Sequence, residues 1–142
     1  MTTPKTTPRR LSTALAVLAL ALLAAPAAFG QKVLHQGTWT AKGYEIEGTW
    51  KIVEEGGRAY VALDADFSTK QAPDLKIFLS PLALSEIRNS NATKGALRVG
   101  ALTSPKGAQK LEIPAGTDLG RYKTLVLHCE KYTKLWGGSA LR

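Results

Sequence analysis

Cysteine is almost absent from this chain: Cys129 is the single one in 142 residues, beside two histidines and one methionine. A lone cysteine rules out an internal disulfide, and no Cys-x-x-Cys or Cys-x-x-Cys-His run exists for a thiol–disulfide centre or a covalently attached haem. His35 and His128 lie far apart, so no His-x-x-x-His metal pair is present, and no glycine-rich phosphate loop occurs. No serine sits in a recognisable nucleophile turn. No motif names a catalytic residue, so a non-enzyme is the favoured reading, and a hydrolase stays open without a motif behind it. Acidic residues are also few, 11 against 19 Lys and Arg, for a net charge of +8. The basic residues are scattered singly rather than gathered into a stripe, which describes a solvated, mildly basic surface and argues against a nucleic-acid partner.

Long apolar runs are missing except for one. Lys5, Arg9 and Arg10 precede Leu11–Leu23, an Ala/Leu-rich run broken only by Ser12 and Thr13, and Pro26 and Ala28-Phe29-Gly30 follow. A basic start, an apolar middle and a small-residue exit make a secretory signal, with cleavage expected between Gly30 and Gln31. The alternative is a retained anchor, since Leu11–Phe29 approaches membrane-spanning length; Pro26 and the small residues favour cleavage. The expected division is 1–30 signal peptide and 31–142 mature domain, secreted or periplasmic in a bacterium, with no stable membrane insertion once the signal is removed. Without Lys5, Arg9 and Arg10 the mature chain carries 16 basic residues against 11 acids, a net of +5.

What the mature chain has in quantity is alternation of period two. Tyr44, Ile46, Gly48, Trp50 and Ile52 interleave with Glu45, Glu47, Thr49 and Lys51, as a strand with one buried face does. Glu54-Glu55-Gly56-Gly57 is a hairpin turn, and the return run Arg58–Phe67 places Val61, Leu63, Ala65 and Phe67 on one side. Asp64 and Asp66 are read as its solvated face. Further strands are expected at 74–79, 96–103, 108–113, 122–129 and 134–141. Residues 81–95 break the rhythm with one helical turn and then Asn/Ser/Gly turn chemistry. Asn91-Ala92-Thr93 matches a glycosylation acceptor, too short a motif to carry weight. About eight short strands without a long helix give an all-β fold, a single antiparallel β-sandwich, jelly-roll-like or a flattened barrel.

The last hairpin holds the chemistry. In 122–129, Leu125, Leu127 and Cys129 share one face and Thr124, Val126 and His128 the other. The first set suits the core, so His128 and Cys129 are not expected to grip one metal ion, and no metal site is read. Cys129 is then either an inert buried thiol, since cysteine behaves as a small hydrophobe, or a reactive centre with Lys131 and Lys134 near enough to favour its thiolate. Trp136 is either a core plug or part of the lining of a site. Gly137-Gly138 either kink the strand or admit a backbone or flat ligand beside the cysteine.

Four segments also carry a family resemblance. They are Ala72-Pro73-Asp74-Leu75-Lys76-Ile77-Phe78-Leu79-Ser80, Gly107-Ala108-Gln109-Lys110-Leu111-Glu112-Ile113-Pro114, the run Asp118–Cys129, and Leu135-Trp136-Gly137-Gly138-Ser139-Ala140-Leu141. In this order they resemble the electron-transfer DM domain family, the thirteenth of its naming series and often found beside DOMON domains, over 37–141. The resemblance implies a β-sandwich with a redox role in which the matching cysteine, Cys129, is a free thiol or the ligand of a prosthetic group such as haem, serving a redox or envelope partner. Trp136, Gly137 and His128 are the expected site lining. His128 departs from the family, which usually has an aromatic residue there. Neither histidine is placed to serve as a second axial ligand. The competing reading is a non-catalytic binding or structural module of the cell envelope in which Cys129 only packs.

Overall fold

The computed structural model of the chain describes residues 1–4 and 30–142; the apolar run expected to be the signal lies outside the described residues. Among the described residues no helix is long and apolar enough to cross a membrane. The elements are strands β1 (Lys32–Thr38), β2 (Thr40–Ala41), β3 (Ile46–Glu47), β4 (Thr49–Glu55), β5 (Arg58–Leu63), β6 (Ser68–Thr69), β7 (Leu75–Ser80), β8 (Leu97–Ala101), β9 (Gln109–Glu112), β10 (Thr124–Cys129) and β11 (Lys134–Ala140). Two 3-10 turns, Leu84–Glu86 and Leu119–Arg121, are the helical content among the described residues. The eight strands of four residues or more form an all-β sandwich, and every pairing is antiparallel.

One sheet has the order β1-β4-β5-β9 and the other β2-β11-β10-β7-β8, while β3 and β6 make a short ribbon of their own. The main core lies between the sheets. Trp50, Ile52, Val61, Leu63 and Leu111 come from the first; Leu75, Ile77, Leu79, Leu125, Leu127, Cys129 and Trp136 come from the second. Period-two alternation produces this directly, because paired residues on neighbouring strands share a face. The β4–β5 turn forms as expected: Gly56 and Gly57 both have positive φ, +59° and +78°, which a tight two-residue hairpin requires.

Two expectations change. The strand expected over 44–52 breaks at Gly48, whose φ is +101° and where a Cβ would sit 2.6 Å from the Phe67 Cα. The chain of 64–67 crosses too closely for any other residue. The return strand accordingly stops at Leu63, and Asp64 and Asp66 are not a solvated strand face but the acceptors of a turn. Thr49 Oγ1 donates to Asp64 Oδ2 at 2.7 Å and to Asp66 Oδ1 at 3.0 Å, and the Thr49 N–H donates to Asp66 Oδ1 at 3.0 Å. That backbone hydrogen bond holds the Asp66 carboxyl below its ordinary range.

The segment 81–95 does more than interrupt the strands. It folds over the outer face of the second sheet, where Ile87 and Ala92 join Phe78, Val126 and Leu135 in a second, smaller core. Thr124 Oγ1 donates to the Leu82 carbonyl at 2.8 Å, and the Leu135 N–H donates to Asn89 Oδ1 at 2.8 Å, fixing the cover near its start and at its middle. Asn91 is occupied within it, accepting from the Arg88 N–H and donating to the Glu86 carbonyl. As a result β10 is buried along its whole length and on both faces.

Candidate functional site

Cys129 ends β10, opposite Leu75 of β7 and Lys134 of β11. Its thiol is free and 0% exposed, within the main core. Just beyond it the chain turns through 130–133, where Thr133 takes a positive φ of 51°, and residues 131–133 are exposed. The sulfur is thus closed off, yet only two residues from solvent-facing backbone.

His128 lies on the opposite face. It is 2% exposed, stands edge-on to Phe78 with ring centroids 6.2 Å apart, and is in register with Lys76 and Leu135. Adjacent strand residues alternate, so His128 belongs to the outer layer under the 81–95 cover and not to the lining of Cys129. Its Nδ1 has no partner among the described residues. Desolvation pushes its pKa below the ordinary 6.5 against the opposing pull of Glu130, which favours the neutral ring.

An ion-pair network spans the same outer face at the end of β10. Lys76 Nζ lies 2.7 Å from Asp74 Oδ1 and 2.6 Å from Glu130 Oε2, and Arg98 also pairs with Glu130. The hydrogen bond from Lys76 holds the Asp74 and Glu130 carboxyls low, and the bond to Asp74 raises the Lys76 ammonium. The network joins β7, β8 and the residue after Cys129, pinning the strand end. Lys131 and Lys134 are both exposed, Lys131 lying 5.9 Å from the Tyr132 ring centroid. Neither is buried beside the sulfur, so the structure gives no support to their activating it.

Trp136 is the extra residue of a β-bulge: Leu127 pairs with Gly137, but His128 pairs with Leu135. The bulge turns Trp136 into the main core while Leu135 stays in the outer one. The two glycines that follow are filled in by this chain. A Cβ on Gly137 would lie 2.7 Å from the Thr40 carbonyl oxygen and 2.8 Å from Ile46 Cγ2; one on Gly138 would lie 2.7 Å from Leu84 Cδ1. They admit β2 and the 3-10 turn, leaving no slot for a flat ligand.

A haem does not fit Cys129 in this arrangement. The sulfur has no exposed surface, and five surface clefts among the described residues, of 170 to 560 Å³, are lined by other residues. His128 faces the other way, and His35, on β1, has its Nδ1 3.1 Å from the Arg142 carbonyl oxygen. No group of three or more His, Cys, Asp or Glu able to hold a metal occurs among the described residues.

The neighbour that sequence reasoning missed is Tyr44. Its ring stacks on Trp136 with centroids 3.8 Å apart and planes 19° from parallel. Tyr44 is half-buried and also faces a 560 Å³ cleft with Glu45, Glu47, Lys70 and Lys106, the Lys70 Nζ standing 5.9 Å from its ring centroid. The spacing of Tyr44 in its own strand predicts a core position but not this contact, which joins distant parts of the chain.

The model of the Electron transfer DM13 family matches residues 38–141, from the end of β1 past the end of β11. The chain belongs to the Electron transfer DM13 family. No curated protein and no solved structure matches it.

Proposed function

We propose that this chain is an exported electron-transfer module, periplasmic or secreted after cleavage between Gly30 and Gln31, whose redox group is the Cys129 thiol. Membership of the electron-transfer family supports the class. The observation that carries the finer reading is the complete burial of the sulfur at the end of β10. Disulfide exchange and oxygen-atom transfer need contact with sulfur, and the closed fold denies it. Transfer of an electron needs no such contact. In this reading a one-electron acceptor on the partner is reduced, the Sγ–H bond breaks, and its proton leaves to water past the exposed link 131–133. Cys129 is left as a thiyl radical, which a one-electron donor and a proton return to the thiol. The same burial is also the observation in favour of a binding or structural module of the envelope in which Cys129 only packs.

Exported protein separates the two. It is expected to be colourless, with no Soret band. A bulky aromatic disulfide reagent should find no thiol in the native state and one after denaturation. Brief treatment with the outer-sphere oxidant hexachloroiridate should then remove the thiol that denaturation reveals. A thiol that survives the oxidant leaves the packing reading, and a Soret band lost in Cys129→Ser overturns the haem-free site.

A further inference from the structure

The reading of Cys129 as a buried redox group leaves open how an electron crosses the sandwich wall. Four aromatic contacts occur among the described residues: Trp39 with Trp50 at 6.5 Å, Trp39 with Phe67 at 6.2 Å, Phe78 with His128, and the Tyr44–Trp136 stack. The first two stay inside the main core, and phenylalanine and neutral imidazole are poor one-electron donors. Only the fourth links a readily oxidised ring at the surface to one in the core beside β10. Tyr132, at 57% the most exposed tyrosine, contacts only Lys131 in this way and no core ring.

The stack is rigidly held. Gly43 lets the chain cross β11 closely, since a Cβ there would lie 3.1 Å from the Leu135 carbonyl oxygen. The Glu45 carbonyl accepts from Thr69 Oγ1 at 2.8 Å and from the Lys70 N–H at 3.2 Å, and the Lys42 N–H donates to the Trp136 carbonyl at 3.0 Å. Tyr44 is therefore clamped on both sides of its own residue.

The proton chemistry of the two rings differs in a useful way. Trp136 is 4% exposed and its Nε1–H has no acceptor among the described residues. An indole that loses an electron there has no base to take its proton, so it stays a radical cation that refills from whichever neighbour gives up an electron. Tyr44 faces the cleft, where water can take the phenolic proton.

We infer that the Tyr44–Trp136 stack is the electron port of this domain, the place where an outer-sphere one-electron acceptor seated in the cleft beside Tyr44 draws its electron. This rests on the proposed redox role of Cys129 for the inner end of the route; the outer end stands on the stack alone. At the outer end the acceptor gains one electron, the Tyr44 O–H bond breaks, the proton passes to water, and a neutral tyrosyl radical remains. Trp136 relays the vacancy inward, and Cys129, losing an electron and its proton, restores the tyrosine.

The test uses the full mature domain and hexachloroiridate as the acceptor. Tyr44→Phe keeps the ring stack and removes the oxidisable phenol; it should slow loss of the Cys129 thiol by about tenfold or more, equivalent to 1.36 kcal/mol or more of added barrier. Tyr132→Phe should leave the rate unchanged. An unchanged rate in Tyr44→Phe overturns the port. The outer end is read separately in Cys129→Ser, where rapid-freeze paramagnetic resonance after oxidation should show a tyrosyl radical that vanishes with Tyr44→Phe and persists with Tyr132→Phe. A radical that vanishes only with Tyr132→Phe overturns the port even if the thiol is consumed. A Tyr44 radical beside an untouched thiol upholds the port and sinks the redox reading of Cys129.

Discussion

Replacing Cys129 by serine isolates what the buried sulfur does for the fold. Serine is nearly isosteric but brings a hydroxyl into a site with 0% exposure, walled by Leu75, Leu127 and the rest of the main core. A buried hydroxyl without a partner costs about 1–3 kcal/mol, whereas Cys129→Ala removes one heavy atom and should cost less. Urea unfolding of the two variants should therefore rank alanine above serine, with unchanged m-values. The sulfur's enclosure also sets its labelling rate. A domain of this size has roughly 5–15 kcal/mol of stability; if Cys129 opens only with the fold, labelling at low reagent should be suppressed by about four decades even at the lower bound, at 1.36 kcal/mol per decade. Serine as stable as cysteine, together with labelling within the mixing time, would refute the closed site and every argument built on it.

Other perturbations reach the elements that create this site. Gly137→Ala forces a methyl to within 2.7 Å of the Thr40 carbonyl oxygen; overpacking of this kind costs about 1–3 kcal/mol, and amide exchange in 40–41 should accelerate as β2 is displaced. Ile87→Ala cuts the small core under the 81–95 cover and should cost about 2–5 kcal/mol, with Val126 amide protection following it in exchange measurements. Acid should destabilise the fold in two windows. His128 binds its proton less readily folded than unfolded, so stability falls as pH drops below 6.5. Asp74 and Glu130 are held low, so their contribution is present above their ordinary values of 3.8 and 4.5 and is lost as pH falls through their folded values. Thermal melts of His128→Leu against wild type should show the upper window flattened and the lower one kept. An identical slope in both proteins between pH 6.5 and 4.5 would show that His128 is not the group responsible.

Much of this architecture is legible in residue order. The Gly56-Gly57 hairpin, the inward set Leu125, Leu127 and Cys129, and the strand character of 75–80, 124–129 and 134–140 follow from turn chemistry and period two alone. What escapes is set by contacts distant in sequence. Gly48 reads as one more inward strand position until Phe67 crosses it, with its Cα 2.6 Å from where a Cβ would sit. The 81–95 segment reads as a loop because its buried residues, Ile87 and Ala92, have no strand period; their burial is dictated by the outer face of β10. Strand β1 has a broken exposure pattern with a bulge between Val33 and His35, so no alternation marks it. At the site itself the separation of His128 from Cys129 follows from alternation. The filling of the Gly137-Gly138 space by Thr40, Ile46 and Leu84, and the seat of Tyr44 on Trp136, depend on how β2, β3 and the 3-10 turn fold back.

A one-electron redox titration of the native domain against its Cys129→Ser variant decides whether the thiol exchanges electrons from inside a closed core. Wild type should give up one electron per chain more than Cys129→Ser while remaining folded and unreactive to the disulfide reagent. Equal uptake of oxidant by the two proteins would contradict the redox role and leave Cys129 as a packing residue.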